Sequence, residues 1–206
     1  MQYLLALLLL AAEFPAPTVD TPAPPAKQKS SIVLAGGCFW GVDAVYRHVQ
    51  GVTEVVSGYS GGSRLTANYA TVSTGFTSHA ESVKITFDPS RVTLGKLLHI
   101  YFSVAHDPTE LNRQGPDEGP QYRSAIFFTT DEQKRVAEAY IQQLNQAKVF
   151  SRPIVTQVTP LAGFYAAEEY HQNYIARNPG NPYVVYNDLP KLKRLHQSFP
   201  ELWTGK

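Results

Sequence analysis

Only one of the 206 residues is a cysteine, Cys38. The chain therefore cannot close an intramolecular disulfide, and zinc sites that need several thiolates are excluded. Excess charge is missing too, since 18 Lys and Arg against 17 Asp and Glu leave a formal net charge of +1. The cations are scattered, with no run long enough to track phosphates, which argues against a nucleic-acid partner. A chain this near neutrality also has little to draw it to an anionic membrane surface. There is no internal repeat, and the longest apolar run, Tyr3 to Ala12, is short of the roughly 20 residues that span a bilayer.

What is present begins with that short run. Its length suits the apolar region of a secretory signal, and Ala11-Ala12 offers a small-residue cleavage site, so residues 1–12 read as a signal peptide. No Lys or Arg precedes the run, as such signals usually require. Export to the periplasm or the medium is the expectation, and a cytoplasmic protein is the alternative. Residues 13–30, with Phe14-Pro15-Ala16-Pro17 and Thr21-Pro22-Ala23-Pro24-Pro25, resist helix and sheet and read as an extended linker. Residues 31–206 remain as one folded domain. The hydrophobic share of 43% is enough to fill a core.

Within that domain strand and helix signals alternate. Ser31 to Leu34 is a short apolar strand broken by Gly36-Gly37. Val42, Val45, Tyr46 and Val49 then mark one face of a helix that Gly51 ends. Val52 to Tyr59 reads as a strand. Glu81 to Asp88 alternates, with Val83, Ile85 and Phe87 on one face. Leu94, Leu97, Leu98, Tyr101 and Ala105 form a helical stripe capped by Thr93. His106 to Gln121, rich in Pro and Gly, reads as a functional loop. Ala125 to Phe128 is a strand. Thr130 and Gln133 form a capping box before a helix running to about Lys148. Ile154 to Val158 is a candidate strand, and Ala166 to Arg177 a candidate helix stopped by Asn178-Pro179-Gly180. A Pro- and Tyr-rich tail follows as coil. The pattern predicts an α+β fold, a two-layer α/β sandwich with a small mixed sheet, a ferredoxin-like core and a long C-terminal coil.

Cys38 falls where the first strand gives way to the first helix. Free N–H groups and the positive helix end stabilise a thiolate there, and cysteine pKa values fall from about 8.5 to as low as about 3.5 in such settings. Gly36 and Gly37 permit a tight turn and close approach by a substrate. Phe39 and Trp40 cannot both lie in the core-facing stripe, so at least one sits near the helix mouth and can help to form an apolar pocket. Glu81 shares the parity of Val83, Ile85 and Phe87, which points it to the apolar face. A carboxyl so placed has a raised pKa and suits a general acid; the alternative is a Glu that precedes the strand and faces water. Tyr69, Tyr122 and Asp117 lie in loop-like sequence, and nothing in composition singles out two among 12 tyrosines. His79, His106 and His171 are each possible partners for a thiolate, so a Cys-His hydrolase stays open, as does a binding domain with an inert buried cysteine.

Gly37-Cys38-Phe39-Trp40-Gly41 resembles the active-site motif of the A-type peptide methionine sulfoxide reductases, which act on the S epimer. The likeness continues through Gly58-Tyr59-Ser60-Gly61-Gly62, His79-Ala80-Glu81, His106-Asp107-Pro108-Thr109, Gln121-Tyr122-Arg123-Ser124 and Ala167-Glu168-Glu169-Tyr170-His171-Gln172, in the family's order. The resemblance implies that 31–206 is the catalytic domain, with Cys38 as nucleophile and Phe39 and Trp40 holding the sulfoxide methyl. It makes Glu81 the proton donor, Tyr69 and Tyr122 hydrogen-bonding tyrosines, and Asp117 a polar support. Thr66-Ala67-Asn68 departs from the family's usual Asn-Pro-Thr ahead of Tyr69. No metal or organic cofactor is implied. Many relatives carry further cysteines near the C-terminus that regenerate the nucleophile. With none here, the Cys38 sulfenic acid left by reduction must meet an external thiol, from a thioredoxin-like or glutaredoxin-like protein or a small molecule. A monomer is expected.

Overall fold

The computed structural model describes residues 14–21 and 28–205; the signal segment read at residues 1–12 lies outside them. In chain order the strands are β1 (Ser30–Ala35), β2 (Val52–Ser60), β3 (Ala80–Phe87), β4 (Arg113–Gln114), β5 (Asp117–Glu118), β6 (Ala125–Phe128), β7 (Gln157–Pro160) and β8 (Phe164–Ala166). The helices are α1 (Phe39–Arg47), α2 (Tyr69–Val72), α3 (Leu94–Ile100), α4 (Asp131–Gln146), α5 (Tyr174–Arg177) and α6 (Leu189–Ser198). Six strands form one mixed sheet in the order β7-β6-β1-β3-β2-β8, and β4 pairs with β5 as a separate hairpin. All neighbours in the large sheet are antiparallel except β6 and β7.

Alternation in the strands decides which face each residue serves. Ile32 and Leu34 lie opposite Ile85 and Val83 across β1 and β3. These residues join Val42, Val45, Tyr46, Leu97, Leu98, Tyr140 and Leu144 in the main core. Each such fully buried side chain contributes about 1.5–3 kcal/mol of transfer free energy. Val33, Ala35, Ala80, Ala125 and Phe127 form a smaller cluster on the other face. Polar bonds lock α1 to the sheet. Asp43 is buried, receives bonds from Arg47 at 2.6 and 3.1 Å and accepts one from the Ser57 hydroxyl at 3.2 Å. The Tyr46 hydroxyl donates to the Leu97 carbonyl, tying α1 to α3.

Several expectations are corrected. The helix read over Ala166 to Arg177 is instead β8, a single turn at Glu169–His171 and the short α5. Tertiary bonds override the local helical pattern there. Glu168 accepts from the Tyr59 hydroxyl and the Tyr69 N–H. The Gln172 amide pairs with both backbone polar groups of Ser57. Asn173 then takes a left-handed φ of 49°, which interrupts any helix. The C-terminal tail is not all coil, since a wide turn at Val184–Asp188 runs into α6. The strand expected at Ile154 begins at Gln157. Thr130 does cap α4 by accepting from the Gln133 N–H, but Gln133 reaches back to the N–H of Thr129, not Thr130. The loop from His106 to Gln121 contains the β4–β5 hairpin.

The described part of the Pro-rich segment forms neither helix nor strand, and it is docked. The Tyr140 hydroxyl donates to the Pro15 carbonyl, and Gln143 bonds both Ala16 and Thr18. Asp20 accepts the Gly95 N–H in the first turn of α3, and the Phe14 ring stacks on His99. Among the described residues no helix is long and apolar enough to cross a membrane.

Candidate active site

The turn between β1 and α1 presents Cys38 at the mouth of a cavity. Gly37 sits at φ 89°, a region that side chains rarely adopt, and a Cβ there would stand 2.6 Å from Gln114. Cys38 takes the N-cap position of α1. The cavity holds about 200 Å³, below the roughly 300–1,000 Å³ of common ligand pockets and suited to a single side chain. Cys38, Phe39, Trp40, Tyr69, Glu81, Asp117 and Tyr122, the seven residues selected from the sequence, all line it. They come from α1, α2, β3, β5 and the turn after β5, so the fold assembles what the sequence scatters.

Glu81 forms the acidic wall. Its parity placed it on the apolar face, and it is 3% exposed. One carboxyl oxygen accepts the Phe39 N–H at 3.0 Å, and the Cys38 thiol lines the same cavity. Burial pushes its pKa up to about 8, the charge of Asp117 adds to the rise, and the bond from the Phe39 N–H opposes it. Glu81 is therefore protonated at neutral pH, in the same cavity as a thiol.

Cys38 departs from expectation. A first-turn cysteine is expected to be acidic, yet its pKa lies well above the ordinary thiol value. Burial is the chief cause, followed by the nearby charges of Glu81 and Asp188; the Trp40 N–H lowers it against these. The other donor that a thiolate might use, the Phe39 N–H, is taken by Glu81. In the free molecule Cys38 is a neutral thiol.

The aromatic residues divide as the helical stripe required. Phe39 is 1% exposed and packs in the core, while Trp40 is only partly buried. The Trp40 ring stacks on Tyr174 with centroids 3.7 Å apart and meets Tyr183 edge-on. Its indole N–H donates to Nδ1 of His171 at 3.1 Å. His171 is buried, and that burial lowers its pKa; its ring lies against Phe39 and Tyr69. Tyr69 and Tyr122 have raised pKa values, burial first and the Glu81 charge second, so both phenols remain hydrogen-bond donors.

Sequence reasoning missed Tyr183. It lines the same cavity, and its hydroxyl donates to Asp117 in a short hydrogen bond. Among 12 tyrosines no spacing marked it; only tertiary folding brings the C-terminal segment over the site. The Cys-His alternative fails on geometry. His79 bonds the Ser63 carbonyl, His106 bonds Tyr101 and Ser124, and His171 receives Trp40; none of the three lines the cavity with Cys38 or bonds its sulfur. Among the described residues no cluster of His, Cys, Asp and Glu could hold a metal ion.

Comparison with known proteins agrees with this geometry. Residues 30–202 match the family model described as peptide methionine sulfoxide reductase. The peptide methionine sulfoxide reductase MsrA 2 of Mesorhizobium japonicum is 55% identical over 188 residues, covering 91% of this chain and 95% of that protein. Among solved structures, Saccharomyces cerevisiae Mxr1 in reduced form superposes with a TM-score of 0.68 at 32% identity, over 78% of this chain and 91% of that one. Methionine sulfoxide reductase A of Corynebacterium diphtheriae gives 0.65 at 32% identity, over 80% and 86%. The matched range includes every residue that lines the cavity, and the chain belongs to the peptide methionine sulfoxide reductase family.

Proposed function

We propose that the cavity seats the oxidised side chain of methionine S-sulfoxide, and that Cys38 attacks its sulfur while Glu81 protonates its oxygen. Thiol-dependent reduction of methionine sulfoxide to methionine is the activity of this chain; the roles of individual residues are the proposal. Support comes from one observation above all: a neutral thiol and a carboxyl protonated up to about pH 8 line the same cavity, which is the size of one side chain.

A sulfoxide oxygen leaves poorly until it is protonated. Glu81 gives its proton to that oxygen and takes the thiol proton of Cys38, so the carboxyl ends as it began. The Cys38 sulfur gains the oxygen as a sulfenic acid, the sulfoxide sulfur is reduced, and methionine departs. Phe39 and Trp40 form the apolar wall for the methyl group. Tyr69 and Tyr122 donate to the oxygen as its negative charge grows. Asp117, held by Tyr183, completes the polar side. An external thiol then attacks the sulfenic sulfur, releasing water and leaving a mixed disulfide. A second thiol exchanges that disulfide and restores Cys38. A thioredoxin-like or glutaredoxin-like dithiol suits this step, because Cys38 is the chain's one cysteine.

The finer fold reading belongs here as well. A β-α-β-β-α-β core from β1 to β6, ferredoxin-like in strand order, with β7 and β8 added at its edges, is supported by the sequence β6-β1-β3-β2 across the sheet. Export rests on the apolar run from Tyr3 to Ala12 and is tested by fractionation of cells producing the full chain; recovery only from cytoplasm overturns it. A monomer is tested by light scattering.

The test of the main proposal uses peptides carrying the separate sulfoxide epimers, with dithiothreitol. Turnover is expected for the S epimer alone, and equal turnover of both overturns the assignment of the cavity. Without reductant, one equivalent of methionine should appear and dimedone should label Cys38. An unmodified thiol after that equivalent is released excludes the sulfenic acid.

A further inference from the structure

Six large apolar side chains are exposed among the described residues: Leu65, Phe76, Leu111, Tyr170, Val185 and Tyr186. A single exposed hydrophobic residue is ordinary on any protein surface. Here, however, all six sit on segments next to a wall of the active-site cavity. Leu65 lies in the single turn Arg64–Thr66, just ahead of Tyr69. Tyr170 stands edge-on to the Tyr69 ring, with centroids 6.5 Å apart. Leu111 precedes the β4–β5 hairpin that holds Asp117, and Val185 and Tyr186 follow Tyr183. The solvent faces of α3, α4 and α6 carry none of the six.

Phe76 is 96% exposed and Leu65 92%. The Phe76 loop is not a loose tip. Gln121 donates to the Ser73 carbonyl at 3.4 Å, and Arg123 donates to the Ser78 carbonyl at 2.9 Å. The loop is thus tied on both sides of Phe76 to the turn Pro120–Tyr122, which presents Tyr122 to the cavity. The bare backbone of Gly75 lies against that turn, where a Cβ would stand 3.2 Å from Gln121 Oε1. The Phe76 ring itself gains almost no burial from the fold, so its apolar surface is left for something outside the chain.

The cavity dictates what must lie over these residues. Its volume of about 200 Å³ takes one side chain. When the sulfoxide belongs to a peptide, the backbone and the neighbouring side chains stay outside and cross the rim. We propose that Leu65 and Phe76 form an apolar shelf on which the residues flanking methionine sulfoxide pack, so that this chain prefers sulfoxides set between large apolar residues. Such segments are buried in folded proteins and come to the surface on unfolding. The inference rests on the cavity being the sulfoxide site. Contact between a flanking side chain and the shelf removes apolar area from water on both partners. It is made equally in the bound substrate and in the transition state, so it acts on KM and leaves kcat alone.

Steady-state kinetics of the full chain with dithiothreitol test this. Three substrates are compared: a capped peptide with methionine S-sulfoxide between Phe and Leu, the same peptide with Ser at both flanks, and N-acetylmethionine S-sulfoxide, which has no flanks. The apolar peptide should exceed the Ser peptide in kcat/KM by about tenfold, the equivalent of partly burying one apolar side chain, with the difference in KM. In the double variant Leu65→Ser, Phe76→Ser that preference should fall to about twofold or less, while N-acetylmethionine S-sulfoxide is reduced as by wild type. Both side chains are exposed, and surface changes of this kind leave the fold intact. A wild-type preference within about twofold, or one that survives in the double variant, overturns the proposal. So does an equal loss on N-acetylmethionine S-sulfoxide, which would mark a displaced Tyr69 instead of lost flank contacts. A loss seen only when a thioredoxin-like dithiol replaces dithiothreitol would assign the shelf to the reductant and overturn it too. Failure of the wild type to reduce N-acetylmethionine S-sulfoxide at all is the distinct outcome that removes the reading of the cavity, and the shelf with it.

Discussion

Glu81 and Asp88 are carboxylates at opposite ends of β3, and they behave as different chemical groups. Glu81 is sealed in the core beside Cys38, and burial lifts its pKa to about 8. Asp88, just past the other end, accepts bonds from the Ser90 hydroxyl and N–H at the surface, and these hold its pKa below the ordinary value. One strand thus carries a proton store at one end and, at the other, a turn residue whose ionised form is favoured. The contrast lies in solvation, and the neighbouring thiol makes it useful.

Removing the thiol gives the largest effect and makes both ends of β3 irrelevant: Cys38→Ser should show no turnover of methionine sulfoxide with dithiothreitol. Turnover clearly above background would mean another group attacks sulfur. Next comes the proton at the buried end. Glu81→Gln keeps shape and the bond from Phe39 but cannot transfer a proton, and general acid catalysis contributes typically about 10²–10⁴-fold. A single-turnover reduction rate lower by that order is expected. The wild-type rate should also decline as pH rises through about 8, where Glu81 loses its proton. A variant rate within about threefold of wild type would place the proton elsewhere, since that is well short of the range for such catalysis.

Stability offers a subtler separation. A carboxyl with a raised folded-state pKa binds its proton more tightly in the folded protein. Its contribution is full below the unfolded value, 4.5, and is lost as pH rises through about 8. Relative to wild type, Glu81→Gln should therefore gain stability between acid and pH 9, on the order of 5 kcal/mol for the full interval. Urea unfolding at the two pH values measures it, and an unchanged difference between the proteins would contradict the raised pKa. At the exposed end Asp88→Asn should leave reduction within about twofold, as expected for a surface change remote from the reacting atoms. A loss comparable to that of Glu81→Gln would break the comparison outright.

The parts legible in the sequence are those fixed by local period. β3, α1 and β6 follow from local apolar pattern, and parity offers the apolar face for Glu81, with a water-facing Glu as the alternative that its burial removes. Thr93 caps α3 through the Lys96 N–H, as its position required. The segment from Ala166 to Arg177 was not legible, because Glu168 and Gln172 bond residues of β2 and α2 that lie far away in sequence. The acidity of Cys38 was misjudged for a similar reason. Its place at a helix start is local, but the carboxyls of Glu81 and Asp188 reach it through the fold. Tyr183 escaped notice because a tyrosine in a polar tail carries no mark until the tail closes over the cavity.

The docked segment from Phe14 to Thr21 bears on how the molecule folds. The bond from Thr18 to Gln143 spans 125 residues and ties the segment to α4. Closing so long a loop costs little more than closing one of half the length, yet the contacts that reward it are side-chain contacts on α3 and α4, with no strand pairing among them. The segment is therefore set to join last and to leave first, as a unit separate from the sheet. Native-state hydrogen exchange at the Gly95 amide, which answers to Asp20 of that segment, reports this local opening, whereas amides of β3 exchange only with the whole domain.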